Sequence, residues 1–115
     1  MGKTLQFCYR DTICEIVEGR GSIASVGNLV GKKRNVLVVT DSGVPTQYAE
    51  SVVAQFSNAS FFTIPQGEES KNFNTLTAII SALRQQEIGR SDALIAVGGG
   101  VTGDIAGFAA SCYKR

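Results

Sequence analysis

Histidine and tryptophan are absent from this 115-residue chain. The lack of histidine removes the commonest general base near neutral pH and the commonest nitrogen ligand for zinc, so the chain is not expected to hold a catalytic metal with its own side chains. Charge of one sign is also scarce. Eleven Lys and Arg against ten Asp and Glu leave a formal net charge of +1, without the basic field that nucleic acid binding requires. The one basic cluster, Lys32-Lys33-Arg34, reads as a solvated loop. No run reaches the ~18 consecutive apolar residues of a membrane span, and the opening Met1-Gly2-Lys3-Thr4-Leu5-Gln6 lacks the apolar segment of a signal peptide. No nucleic acid or membrane partner is expected, and a cytoplasmic location follows. The three cysteines, Cys8, Cys14 and Cys112, are an odd number with no C-x-x-C spacing. That suits reduced thiols acting as small buried hydrophobes.

The length allows one domain with a real core. Leu5, Phe7 and Tyr9 alternate with polar neighbours and Ile13 to Val17 resumes after Asp11-Thr12, which predicts an opening β-hairpin closed by Gly19 and Gly21. Ser22 to Val30 reads as a short helix with Ile23, Val26 and Val30 on one face. Asn35 to Thr40 is a continuous β-branched run, the pattern of a strand covered on both sides. A helix from Tyr48 to Phe56 follows Pro45, and Ala59 to Ile64 is the next strand. Phe73, Leu76, Ile80 and Leu83 mark a long amphipathic helix ending near Ile88-Gly89. Strand and helix alternate to the end, so the expected fold is α/β: a Rossmann-like, mainly parallel sheet with flanking helices and an N-terminal β-hairpin.

The strongest local signal is Ala93-Leu94-Ile95-Ala96-Val97 running into Gly98-Gly99-Gly100-Val101-Thr102-Gly103-Asp104. Gly98, Gly100 and Gly103 satisfy G-x-G-x-x-G between a buried strand and a helix read over Ile105 to Tyr113, which is the context that a dinucleotide fingerprint requires. Glycine there lets the backbone approach a pyrophosphate at the helix start. It also lets a helix lie close on a sheet, and the pattern alone leaves both readings open.

Ligands of parallel α/β sheets lie beyond the carboxyl ends of the strands. Three polar or glycine-rich loops are expected there: Asp41-Ser42-Gly43, Pro65-Gln66-Gly67-Glu68-Glu69-Ser70-Lys71, and Gly98 to Asp104. Together they could offer a phosphate turn and carboxylates for ribose hydroxyls. Each acid also has a simpler role. Asp41 can close a turn, Glu68 and Glu69 can stabilise a helix start, and Asp104 can do the same in the first turn of the last helix. Lys71 can be a solvated side chain.

The segment from Gly98 to Arg115, GGGVTGDIAGFAASCYKR, resembles the glycine-rich signature of the 3-dehydroquinate synthases, within the sugar-phosphate cyclases. Pro65-Gln66-Gly67-Glu68-Glu69-Ser70-Lys71 is similar to the P-x-G-E-x-x-K loop of that family, and the opening hairpin also fits. The resemblance implies that residues 1–115 are an NAD-binding α/β domain, followed in full-length members by a helical domain that carries zinc or another divalent metal and most substrate contacts. It implies cofactor-binding roles for Asp41, Gly67, Glu68, Lys71, Gly99, Gly100, Val101, Gly103 and Asp104, and a substrate-phosphate role for Arg115. It further implies a homodimeric lyase that converts the sugar phosphate 3-deoxy-D-arabino-heptulosonate 7-phosphate to 3-dehydroquinate and phosphate, in the shikimate route to aromatic compounds. The family's metal ligands and proton-transfer residues map to no position here, so these residues alone are expected to be inactive. The alternatives are another sugar-phosphate cyclase, a glycerol-dehydrogenase-like enzyme, whose continuation fits less well, or a nucleotide-binding module without catalysis.

Overall fold

A computed structural model describes residues 3–9 and 12–113. β1 (Lys3–Tyr9) and β2 (Thr12–Glu18) form an antiparallel pair, with Lys3 opposite Glu18 and Tyr9 opposite Thr12. The expected helix over Ser22 to Val30 divides into a 3-10 turn, Ser22–Ser25, and a short α1, Val26–Val30. There follow β3 (Asn35–Asp41), α2 (Thr46–Val53), β4 (Asn58–Ile64), a 3-10 turn (Glu68–Ser70), α3 (Phe73–Gln85), β5 (Ala93–Val97) and α4 (Gly100–Cys112).

The second sheet is parallel, in the order β4-β3-β5. β3 is central, and its side chains alternate between two cores. Val36 and Val38 pack with Ala49, Val52 and Phe56 under α1 and α2. Leu37 and Val39 pack with Ile64, Leu76, Ile79, Leu83, Ile105, Ala106 and Ala109 under α3 and α4. Burial on both faces is why β3 reads as a continuous β-branched run. The two crossovers run in opposite directions over opposite faces, as right-handed connections require.

Several expectations need correction. Among the described residues β5 pairs with β3 alone, Ala96 is exposed, and the rest of the strand is half-buried. On α3 the buried ridge is Leu76, Ile79 and Leu83, while Phe73, the first residue of the helix, is 82% exposed. α3 stops at Gln85, and the chain then turns through Glu87 at φ 58° so that Ile88 is buried under the helix end. Cys112 is an exposed free thiol at the last turn of α4. Tyr48 is likewise exposed, and the adjacent Ala49 is the buried residue of that turn.

Candidate functional site

The order β4-β3-β5 brings all three loops to one end of the sheet, because each follows the carboxyl end of a neighbouring parallel strand. Ser42 N donates to Ile64 O (2.9 Å), and Gln66 N donates to Ser42 Oγ (3.0 Å), so the β3 and β4 loops are tied together. Gly43 lies where a Cβ would strike the Gln66 side chain. Gly67 has φ +100°, a left-handed conformation that favours glycine, and it turns the loop into the Glu68–Ser70 segment. Ser70 is buried, and its hydroxyl donates to Pro65 O to close this loop on itself.

Asp41 ends β3 with its carboxylate held from two sides. Gly43 N donates to Oδ1 (2.8 Å), and Thr102 Oγ1 donates to Oδ2 (2.7 Å). The turn-closing role of Asp41 is therefore real, but each oxygen keeps acceptor capacity beyond its one internal donor. Lys71 joins the second loop to the third: its Nζ lies 3.0 Å from Asp104 Oδ2 and 3.6 Å from Glu68 Oε2. The hydrogen bond to Asp104, and then the charges of Glu68 and Asp104, raise the Lys71 pKa above 10.5. Lys71 is thus both exposed to solvent and ion-paired across the two loops.

α4 starts five residues earlier than the sequence suggests. Gly99 is the N-cap and Gly100 the first helical residue, so Gly103 lies inside the helix and Asp104 lies beyond its first turn. A first-turn dipole role for Asp104 is therefore replaced by the pairing with Lys71. No side chain caps α4, whereas Asn72 Oδ1 caps α3 by accepting from Thr75 N (2.8 Å). The backbone N–H groups of Gly100, Val101 and Thr102 have no carbonyl of their own helix to meet.

The glycines divide by what surrounds them. At Gly98 a Cβ would lie 2.8 Å from Asp41 Oδ2 and 3.0 Å from Thr102 Oγ1, so this glycine answers to internal packing. At Gly99, Gly100 and Gly103 a Cβ would meet nothing within 4 Å. Close helix-to-sheet packing does not explain these three. They leave the mouth of an uncapped helix bare, a cradle suited to an anion backed by backbone N–H groups.

A groove of about 460 Å³ runs away from the Lys71–Asp104 pair, walled by Phe73, Leu76, Ile105 and Phe108. Among the described residues no three His, Cys, Asp or Glu side chains gather into a metal-binding group. Arg115 lies outside the described residues, as do the side chains of Cys8 and Cys14. Reading the sequence missed Thr102. Its signal was a hydroxyl three positions after the N-cap glycine, one turn above a strand end.

The profile of the 3-dehydroquinate synthase N-terminal domain matches residues 61–115, which contain two of the three loops. The chain is 40% identical over 112 residues to the 3-dehydroquinate synthase of Streptococcus suis (strain 05ZYH33), covering 91% of this chain and 32% of the relative. It is 43% identical over 101 residues to that of Lactiplantibacillus plantarum, covering 82% and 28%. This chain is similar to the 3-dehydroquinate synthases over most of its length. It spans about a third of the length of these family members. Among solved structures, 2-deoxy-scyllo-inosose synthase superposes with a TM-score of 0.83 at 27% identity, over 95% of this chain and 32% of that one. The same enzyme in complex with carbaglucose-6-phosphate, NAD+ and Co2+ gives 0.82 at 29%, with the same coverage. The Rossmann-like α/β architecture expected for the family is the one observed.

Proposed function

We propose that the chain is the NAD-binding amino-terminal domain of a 3-dehydroquinate synthase. The observation that carries this reading is the bare glycine face of α4, Gly99, Gly100 and Gly103, set against the Asp41 carboxylate at the end of β3. In this reading the N–H groups of Gly100 and Val101 receive the pyrophosphate. Asp41 and Glu68 accept hydrogen bonds from adenosine ribose hydroxyls, Gly67 gives the second loop its turn, and Lys71 holds that loop against α4 through Asp104. Asp104, which would repel phosphate, serves a ribose hydroxyl or a water. Bound NAD would supply a hydride acceptor and donor.

The reaction that suits the family converts 3-deoxy-D-arabino-heptulosonate 7-phosphate to 3-dehydroquinate. Transient oxidation of one alcohol to a ketone acidifies the neighbouring C–H, so phosphate can leave before the hydride returns and an aldol step closes the ring. The described residues bind and orient the cofactor. Arg115 is assigned to substrate phosphate, and zinc or a related divalent metal to sequence of the larger enzyme, which we read as a cytoplasmic homodimer of the shikimate route. α4 packs on the same face as α3, which carried the chain from β4 to β5, so a right-handed crossover through α4 would add a further strand beyond β5. A second reading, a sugar-phosphate cyclase with another product, draws support from the likeness to 2-deoxy-scyllo-inosose synthase.

Titration calorimetry with NAD and NADP tests the cofactor assignment. NAD should bind more tightly, because the 2′-phosphate of NADP meets Asp41 and Glu68. Equal or tighter binding of NADP would remove those two residues from the ribose site.

A further inference from the structure

Thr102 is 1% exposed in the first turn of α4. A helical threonine commonly turns its hydroxyl back to its own helix. This one reaches across 61 residues of sequence to donate to Asp41 Oδ2 at 2.7 Å. Gly43 N takes Oδ1 from the opposite side, so rotation of the carboxylate about its last bond is blocked by one donor on each oxygen. The space beside the pair is reserved as well. A side chain at Gly98 would collide with both Asp41 Oδ2 and Thr102 Oγ1, which gives the first glycine of the motif a purpose different from that of Gly99, Gly100 and Gly103.

We infer that Thr102 is a positioning residue for the cofactor: its hydroxyl fixes the Asp41 carboxylate in the orientation that accepts the adenosine ribose. The inference rests on the NAD reading above. The same bond joins the end of β3 to the first turn of α4, so the ribose acceptor and the pyrophosphate turn are held at one separation. Both oxygens of Asp41 keep a free lone pair, enough for the two hydroxyls of a ribose diol.

The test is a double-mutant cycle on NAD affinity in the intact protein, measured by calorimetry well below the melting midpoint of every variant. Thr102→Val keeps the shape and removes the donor; it should raise the Kd for NAD by roughly tenfold, the scale of one hydrogen bond to a charged group. Thr102→Ser should restore affinity to within about twofold. In an Asp41→Ala background, Thr102→Val should change the Kd by less than about twofold, because nothing remains to be positioned. A purely structural role would lower the melting midpoint and leave the Kd of the folded protein unmoved. Equal losses in both backgrounds, or no loss in either, would overturn the inference. If Asp41→Ala itself leaves NAD affinity unchanged, the ribose assignment of Asp41 fails; if the unmutated protein does not bind NAD, the cofactor reading fails, and this inference fails with it.

Discussion

Substituting alanine at Gly100 and at Gly103 separates close approach of a ligand from close packing of a helix, because the two roles predict opposite signs for stability. Neither glycine has a positive φ, and a Cβ at either would meet nothing within 4 Å. Gly103 lies inside α4, where alanine is favoured over glycine by roughly 0.5–1 kcal/mol. At Gly100, the first helical residue, the gain should be smaller. For a domain of this size, 1 kcal/mol corresponds to about 4–8 °C in the melting midpoint. Gly103→Ala should therefore melt a few degrees higher than the unmutated protein and Gly100→Ala no lower. Saturating NAD at about 100 times its Kd should add roughly 2.7 kcal/mol to the unmutated protein. That ligand shift should shrink sharply in Gly100→Ala, where the methyl stands in the path of the pyrophosphate. Differential scanning fluorimetry with and without NAD reads both effects. A lower midpoint without ligand would show that the glycines serve packing, and an undiminished NAD shift in Gly100→Ala would refute close approach.

Three further outcomes are expected. Ile79→Ala, at a fully buried position, should cost about 2–5 kcal/mol in chemical denaturation, whereas Ile80→Ala on the half-buried flank should cost clearly less; the reverse order would contradict the buried ridge of α3. Hydrogen bonds from Gly89 N and then Asn35 N lower the Asp92 pKa below 3.8, so its contribution to stability is present above the unfolded value and fades as pH falls through the folded one. Asp92→Asn should flatten the acid limb of a pH-stability profile, and an unchanged limb would deny that linkage. The chain by itself should release no phosphate from 3-deoxy-D-arabino-heptulosonate 7-phosphate with NAD and zinc supplied, since it has no histidine; metal-dependent turnover would show that catalytic groups were overlooked.

Legibility in the sequence follows how much of the structure local pattern controls. β3 was plain because both faces are buried, so nothing interrupts Val36 to Val39. The start of α4 was obscure because glycine signals a turn in one dimension. Gly100 and Gly103 are nonetheless helical, in a first turn tied to the end of β3 by the Thr102–Asp41 bond, which is long-range information. On α3 the expected face holds at Leu76, Ile80 and Leu83 and departs at Phe73, for a related reason. Phe73 fits the helical period as well as Leu76 does, and packing against the sheet decides which is covered.

The same limit explains what the site reading found and missed. Asp41, Glu68, Lys71 and Asp104 could be nominated singly because charges beside glycines at strand ends are conspicuous. Their partners could not. The Lys71–Asp104 and Thr102–Asp41 contacts join loops far apart in sequence, and they exist only because β4, β3 and β5 lie side by side with carboxyl ends together. Those contacts also distinguish the glycines. With Asp41 and Thr102 paired beside it, Gly98 has no room for a side chain, while Gly99, Gly100 and Gly103 have room and do not use it. Open space at an uncapped helix start gains nothing for packing and costs conformational entropy on folding. Of the two readings that the G-x-G-x-x-G pattern left open, packing accounts for the first glycine, and the other three keep the space that the proposed anionic ligand would need.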